Sequence, residues 1–553
     1  MSYVLTLDFE TRDPSIGLGR GAGWVYRDFD ILGMAYQIED GPTHWTSNTQ
    51  EIKDLVHGSR TLVAHNAQYD LGCLSRLGIL FNDKLCVDTL ILAKLYDNTG
   101  FRYSLDRLAA DFLGDRKDYS SLELAAAEVG VKKPRAHIAE LYKHRPDLVI
   151  KYAKQDVSLT YRLLQWFKAE MYEDMKALIP FYSDLLKALV KWRSSGVRID
   201  LAQAEKSSAA LSALEQDARP AFTRYCGDIN IESTEQLAEA LTALGLVVGV
   251  SAKGGPSVDA AWRATQTHPA VEALSDAKRY KKLRREFVDG LWDRAENGKI
   301  YPEINILGAT ETGRMSSSNP NIQQIPKRDE LATSLIRSLF VGEPGEKVYS
   351  LDFSSQEPRL QVHYAYLAKS PGASLLREAF LSNPQHDLHQ QVADLAQIDR
   401  KTAKTINLGI SYGMGIAKLA TTLKLNEKEA SKLLSQYKTL TPYLAHLSKA
   451  VQAAGTRKGY IRTLLGRHLV MDMEKPYKAL NKLIQGSAAD QTSMAMVQAY
   501  REGIDIKFAV HDELVLTTTD PSKAQRLKEI METVAPLTVP SYVGISEGDS
   551  WGG

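Results

Sequence analysis

Acidic residues stand on strand-like segments at both ends of this chain, with helical segments between them. Residues 4–11, VLTLDFET, alternate: Leu5, Leu7 and Phe9 fall on one face, Thr6, Asp8 and Glu10 on the other. Asp8 and Glu10 therefore leave the same face of one strand, where their charges repel unless cations lie between them. HNAQYD sets Asn66 at an expected helix N-cap with Asp70 one turn beyond, and YAKQD sets Tyr152 and Asp156 on one helix face. Near the other end, Asp352 closes the strand-like run EKVYSLDF, and a helix is expected from SSQEPR, with a serine near its cap and Pro358 in its first turn. Asp512 stands beside His511 at the tip of an expected hairpin in KFAVHDELVLT. Residues 1–170 read as α/β, and the chain as a whole is expected to be a multidomain protein of α/β and α+β type.

Carboxylates that hold two divalent ions are a standard device for in-line phosphoryl transfer, and oxygen-only ligands suit Mg²⁺ or Mn²⁺. One such group suggests a nuclease. Two groups of different design suggest an enzyme that forms a phosphodiester bond and also cuts it. Taken singly, each acid reads as an ordinary solvated strand end or turn, and Tyr152 as a half-buried helix tyrosine. Between Asp352 and Asp512 lies RKTAKTINLGISYG, where Arg400, Lys404 and Leu408 recur at i, i+4 and i+8 along one helix stripe. Two cations there suit a triphosphate leaving group, with Tyr412 beyond them as a floor under base and sugar. Gly409 and Gly413 each cost a helix about 1 kcal/mol relative to alanine, so a close approach of another backbone or a nucleotide is expected there.

The length of 553 residues implies three or four domains. With 44% hydrophobic and 24% charged residues the composition is globular, and a net charge of +1 leaves any phosphate-binding surface to segregated charge. Three scattered cysteines make neither a disulfide framework nor a zinc cluster, which points to a reducing compartment. No apolar run of about twenty residues is present to span a membrane, and the N-terminus lacks a signal-peptide pattern. A helical pattern runs from 141 to 168, and a further helix is expected to end at SSGVRID. Residues 200–300 read as mainly helical, with a break at Gly254, Gly255 and Pro256.

The first acid group, with its tyrosine, resembles the DEDD 3′–5′ exonuclease family, tyrosine variety. That resemblance implies that Asp8, Glu10, Asp70 and Asp156 hold the metals and that Tyr152 orients the attacking water. The second group resembles motifs A, B and C of family A DNA polymerases, the DNA polymerase I type. Supporting segments follow in the family's order: STEQLAEAL and DAKRYKKLRREFVDGL like the thumb, TETGRMSSSNPNIQQIPKR like the segment that meets the primer–template minor groove, DLH at 387–389 like the start of the fingers, and NKLIQGSAAD like the helix before motif C. The resemblance implies an RNase H-like exonuclease domain over residues 1–170, connecting helix and thumb over 171–309, palm over 310–375, fingers over 376–450 and palm again over 451–553. Asp352 and Asp512 would hold two ions. Arg400, Lys404 and His389 would meet the triphosphate, with Lys404 a proton donor to pyrophosphate. Glu357 and Tyr412 would shape the nucleotide pocket, Glu357 also crowding the sugar 2′ position. Arg314, Asn481 and Gln485 would read the minor groove, whose acceptors are nearly independent of sequence, and His511 would lie beside the DNA.

Departures from the family pattern carry expectations of their own. Motif A reads Asp352-Phe-Ser-Ser-Gln-Glu357 instead of DYSQIE, with the spacing kept. Leu408 stands where Phe or Tyr is usual, so discrimination against dideoxynucleotides is expected. Tyr477 and Lys478 stand where an arginine is common. The basic cluster of Lys278, Arg279, Lys281, Lys282, Arg284 and Arg285 is either a track for the duplex backbone or a solvated helix face. The absence of a 5′-nuclease segment and the compact size point to a replicative, bacteriophage-like enzyme in the cytoplasm of a bacterial host. Its expected partners are primer–template DNA, dNTPs and replisome proteins such as a helicase or primase, and no membrane. The alternatives are a 3′–5′ exonuclease with a non-catalytic DNA-gripping half, a single-subunit RNA polymerase, and an accessory DNA-binding subunit.

Overall fold

The structure, a computed structural model, describes residues 2–100, 102–251, 253–308, 311–327, 329–411 and 414–553; the side chains of residues 395, 396, 408, 410, 411 and 440 fall outside that description. Tyr412, Gly413, Thr310 and Arg328 lie outside the described residues.

The N-terminal sheet contains β1 (Tyr3–Arg12), β2 (Asp30–Ile38), β3 (Thr43–Thr46), β4 (Ser59–Ala64) and β5 (Leu85–Asp88), in the order β3-β2-β1-β4-β5. β1 is central, antiparallel to β2 and parallel to β4. Its alternation would leave the face of Thr6, Asp8 and Glu10 wet, yet Thr6 is fully buried and Glu10 is 9% exposed. The cause is α2 (Pro146–Glu170), which packs over β1 and β2. Ala35, the cross-strand partner of Asp8, touches Ala153 and Val157 of that helix. The helix carrying Tyr152 and Asp156 is thereby laid over the strand carrying Asp8 and Glu10.

Two local readings are corrected. Asn66 does not cap α1 (Gln68–Arg76): it adopts φ +65°, Ala67 takes the cap position, and the N–H groups of both donate to the buried Asp88 carboxylate at 2.9 and 3.0 Å. A neighbouring strand end closes this turn, so the asparagine side chain is not needed for it. The helical run expected over 141–168 is broken at Arg145, with one helix over Ile138–His144 and α2 beginning at Pro146. Proline keeps the preceding residue out of the helical region and suits the first helical position itself. The following helix, α3 (Ile179–Ser195), ends before Gly196 as expected.

The chain divides into two compact units, one formed by residues 1–196, 301–323 and 349–547, the other by 197–300, 324–348 and 548–553. In the second unit, α4 (Leu201–Cys226) packs along α5 (Pro269–Lys282) over a core of Phe222, Leu237, Leu241, Val271 and Leu274. The expected break at Gly254 is a short ribbon pairing residues 249–250 with 256–257. Within that unit Trp551 lies edge-on to Phe340 at 5.2 Å, with the Arg337 guanidinium 3.6 Å from its ring.

In the first unit a second sheet contains β6 (Lys347–Phe353), β7 (Ile506–Val510), β8 (Glu513–Thr518) and β9 (Val543–Gly548), in the order β7-β8-β6-β9. Around it stand α6 (Gln356–Leu367), α7 (Leu388–Ala396), α8 (Arg400–Ser411) and α9 (Ala479–Arg501). α3 explains why residues 1–196 share a unit with this sheet. It packs on α1 and β5, and also on α9 and β7, so that Leu185, Leu189 and Trp192 share one core with Phe9, Leu74, Met496 and Leu514. Among the described residues no helix is long and apolar enough to cross a membrane.

Candidate active sites

The first acid cluster is assembled from β1, α1 and α2. Glu10, Asp70, Tyr152 and Asp156 are buried and Asp8 is partly so. Burial first, and then the charge of Asp156, push the Asp8 carboxyl up to about 7, against the pull of Lys117. Burial and the charges of Asp8 and Asp156 raise Glu10, and burial with the charge of Asp8 raises Asp70. These acids are thus near enough to repel one another in a place that water reaches poorly. Asp70 accepts a hydrogen bond from the Phe9 N–H at 3.0 Å, which ties α1 to β1.

Lys117 is a member of this cluster that sequence reading missed. Its side chain is 6% exposed, its ammonium pairs with Asp156 and donates to the Tyr152 hydroxyl at 2.8 Å, and it lies 4.6 Å from the Tyr152 ring. Burial works against the charged amine, but Asp156 and Tyr152 outweigh it and raise its pKa. Nothing in the stretch around Lys117 marks it, because it stands in a coil between helices. Asp88 was also missed; a signal existed, since an aspartate before TLIL at the end of a strand-like run reads as an N-cap, and its side chain does accept from the Leu90 N–H.

Among the described residues no three His, Cys, Asp or Glu side chains are drawn together closely enough to hold an ion as they stand. The chemistry of the first cluster nonetheless fits a divalent cation. The donors are all oxygens, they repel one another, and among the described residues Asp156 Oδ1 is buried without a hydrogen-bond partner.

The second cluster is set by the sheet β7-β8-β6-β9. β7 and β8 form the expected hairpin, with Val510 paired to Glu513 and with His511 and Asp512 in the turn, His511 at φ +59°. β8 lies beside β6, and the Phe353 N–H donates to the Asp512 carbonyl at 3.2 Å, so the end of β6 that bears Asp352 lies against the turn that bears Asp512. Both are partly buried, and Glu513 is buried against the Ser350 hydroxyl. Ser355 takes the cap position of α6, as expected, at φ +54°, and among the described residues its side chain makes no cap bond. The buried Arg359 binds that turn from within the helix, donating to the Ser354 carbonyl at 2.8 Å and to Pro540 at 2.6 Å.

Two further groups come together. Arg400 donates to Asp387 at 2.6 Å, and His389 is held near 4 by burial and by the charges of Lys404 and Arg400, which places these three residues of α7 and α8 in one patch. Among the described residues the His389 Nδ1 is buried without a hydrogen-bond partner. The close approach expected at Gly409 is made by a side chain: a Cβ there would lie 3.2 Å from Met414 Sδ. The Leu408 side chain and Tyr412 lie outside the described residues.

Arg314 and Glu357, assigned to different tasks from sequence, form one ion pair at 2.6 Å. Gly313 before it has φ +75°, and a Cβ there would lie 2.1 Å from Arg467 Nη1. Arg467 in turn is buried against Asp490 at 2.6 Å and donates to the Thr312 and Gly486 carbonyls. This pairing hangs the 311–314 segment on α9 one turn from Gln485. Along α9, Asn481, Gln485, Ala489 and Ser493 form a partly exposed stripe on an otherwise largely buried helix, and Asn481 Oδ1 has no partner among the described residues. The basic cluster of α5 and the helical turns that follow it is largely consumed by ion pairs: Arg279 with Asp329 at 2.6 Å, Lys281 with Glu232 at 2.7 Å and Arg284 with Glu215 at 2.9 Å.

A model of DNA polymerase family A matches residues 201–553. A DNA-directed DNA polymerase of Pseudomonas phage M6 is 31% identical, the alignment covering 99% of this chain and 94% of that one. The thermostable DNA polymerase I of Thermus aquaticus is 32% identical over 66% of this chain and 47% of its own length. The POL domain of Pol1 from M. smegmatis, in complex with DNA primer-template and dNTP, superposes with a TM-score of 0.81 over 100% of this chain and 96% of that one, at 23% identity, a likeness of fold.

Proposed function

Because this chain belongs to DNA polymerase family A, we propose that it is a template-directed DNA polymerase carrying a separate 3′–5′ proofreading site. The observation that carries the reading is the bond from the Phe353 N–H to the Asp512 carbonyl, which sets the end of β6 that bears Asp352 beside the β7–β8 turn that bears Asp512, with a second acid group on a different sheet. We assign residues 1–170 to an RNase H-like exonuclease, 171–309 to connecting helix and thumb, 310–375 and 451–553 to the palm, and 376–450 to the fingers.

In the polymerase site, Asp352 and Asp512 would hold Mg²⁺ or Mn²⁺, two ions that lower the cost of charge developing at phosphorus and ready the attacking oxygen. Arg400, Lys404 and His389 hold the incoming triphosphate; Lys404 donates to the departing pyrophosphate. Glu357 excludes a ribose 2′-hydroxyl by crowding, and Tyr412 and Leu408 line the nucleotide pocket. Asn481 and Gln485, on the exposed stripe of α9, and Arg314 read the minor groove near the primer end, with His511 beside them. In the proofreading site Asp8, Glu10, Asp70 and Asp156 would hold the ions and Tyr152 orients the water. The partners are primer–template DNA and dNTPs, with helicase or primase among replisome proteins, in the cytoplasm of a phage-infected bacterium.

A primer–template assay in Mg²⁺ tests this reading. Primers lengthen with dNTPs and shorten without them. An extension rate with NTPs equal to that with dNTPs overturns the assignment of Glu357.

A further inference from the structure

The coil between Asp115 and Tyr119 is strapped to α2 on both sides of Lys117. Gln155 accepts from the Asp118 N–H at 2.9 Å and donates to the Arg116 carbonyl at 3.4 Å, so one side-chain amide brackets Lys117. Arg162 holds Asp115 at 2.6 Å, and the Lys117 N–H donates to Asp106 at 3.1 Å. Gln155 and Arg162 stand on the same helix as Tyr152 and Asp156, so the strap delivers an ammonium to the residues of the acid cluster. Next to it, Arg135 donates to the Tyr119 hydroxyl at 2.8 Å and lies 4.9 Å from its ring, with the Tyr119 ring 6.2 Å from that of Tyr152.

A purely structural buried ion pair needs its partner's remaining lone pairs satisfied. Here, among the described residues, Asp156 Oδ1 has no hydrogen-bond partner, and the ammonium that pairs with Asp156 also acts through its charge on Asp8 and Glu10. A lysine carries a compact charge on a flexible stem, and this one is rooted in coil; it can therefore turn without moving a helix. We propose that Lys117 is a working residue of the proofreading site: it holds Asp156 and Tyr152 together before DNA arrives, and donates to a non-bridging oxygen of the scissile phosphodiester when a 3′ end is bound. The inference rests on the proofreading reading above. In the hydrolysis, a water oxygen bonds to phosphorus and the bond from phosphorus to the 3′ oxygen breaks. One water hydrogen ends on the released 3′-hydroxyl and the other leaves the new 5′-monophosphate to solvent. Lys117 gives up no proton and serves through its charge.

The test is Lys117→Gln and Lys117→Arg in the full chain, with a single-stranded oligonucleotide as the trimming substrate. Mn²⁺ titration followed by electron paramagnetic resonance, in an Asp352→Asn, Asp512→Asn background, supplies a readout besides activity. Lys117→Gln is expected to slow trimming about 100-fold, the scale of losing one preorganised donor to developing charge. Extension by the variant should be unchanged, Mn²⁺ should bind as tightly or more so because Asp156 has lost a competing cation, and Lys117→Arg should recover most of the rate. Trimming at the parent rate in Lys117→Gln overturns the proposal. So does a trimming loss accompanied by weakened Mn²⁺ binding with no recovery in Lys117→Arg, which marks a scaffold role. A parent chain that extends primers and never shortens them removes the proofreading reading itself, and this inference with it.

Discussion

Replacing Asp8 by asparagine should stabilise the ion-free protein. The Asp8 carboxyl titrates at about 7 in the fold against an ordinary 3.8, mainly through burial and then through the charge of Asp156. A folded-state value above the unfolded one means that the native state keeps a proton which the unfolded chain releases. Stability from this group is therefore full below about pH 4 and is lost as pH rises to about 7. A shift of about three units corresponds to about 4 kcal/mol, shared within a titration that also involves Glu10 and Asp156. Asp8→Asn removes the charge and keeps the shape, so about 2–4 kcal/mol should be regained at pH 8 in EDTA. At pH 5 the advantage should fall to less than half, because the wild-type carboxyl is already largely protonated in the fold. Added Mn²⁺ should cancel or reverse it, since the ion then binds the wild-type acids better. The assay is guanidinium denaturation at the two pH values, with EDTA or with Mn²⁺. An Asp8→Asn variant that is unchanged or weaker at pH 8 in EDTA would refute the claim that these acids repel one another in a poorly solvated cluster.

Glu357→Ala should raise ribonucleotide incorporation at least about tenfold, about 1.4 kcal/mol of lost discrimination, read from competing dNTP and NTP extension; an unchanged ratio removes Glu357 from sugar selection. Arg279 is occupied by Asp329, so its charge reversal should leave the log–log salt slope of DNA binding unchanged. Loss of the exposed Arg285 should reduce that slope by about 0.9 if it meets a phosphate, measured by binding across salt concentrations.

Local periodicity carried much of this architecture. The strand at Asp8 and Glu10, the α2 spacing of Tyr152 and Asp156, and the hairpin at His511 and Asp512 each follow from a two- or four-residue repeat, and each stands where its repeat puts it. What escaped is non-local. Lys117 reaches Asp156 across 39 positions from a coil with no repeat of its own. Arg314 and Glu357 pair across 43 positions, and Arg467 grips Asp490 from the turn between the paired strands Tyr460–Arg462 and His468–Val470, which no motif marked. Asn66 misled because a residue type that caps helices can equally take a left-handed turn; only the position of Asp88 on a neighbouring strand decides between them. That residues 1–196 share a unit with the second sheet likewise depends on α3 burying apolar side chains on two sheets, a fact about partners that one helix pattern does not contain.

The most direct test separates the two acid groups in one experiment. A labelled primer–template is incubated in Mg²⁺ with and without dNTPs, using the parent chain, Asp352→Ala, and Asp8→Ala with Glu10→Ala. The account predicts that Asp352→Ala shortens primers and cannot lengthen them, while the double variant lengthens them and cannot shorten them. Loss of both activities from either variant, with the fold intact by circular dichroism, would contradict the existence of two independent sites.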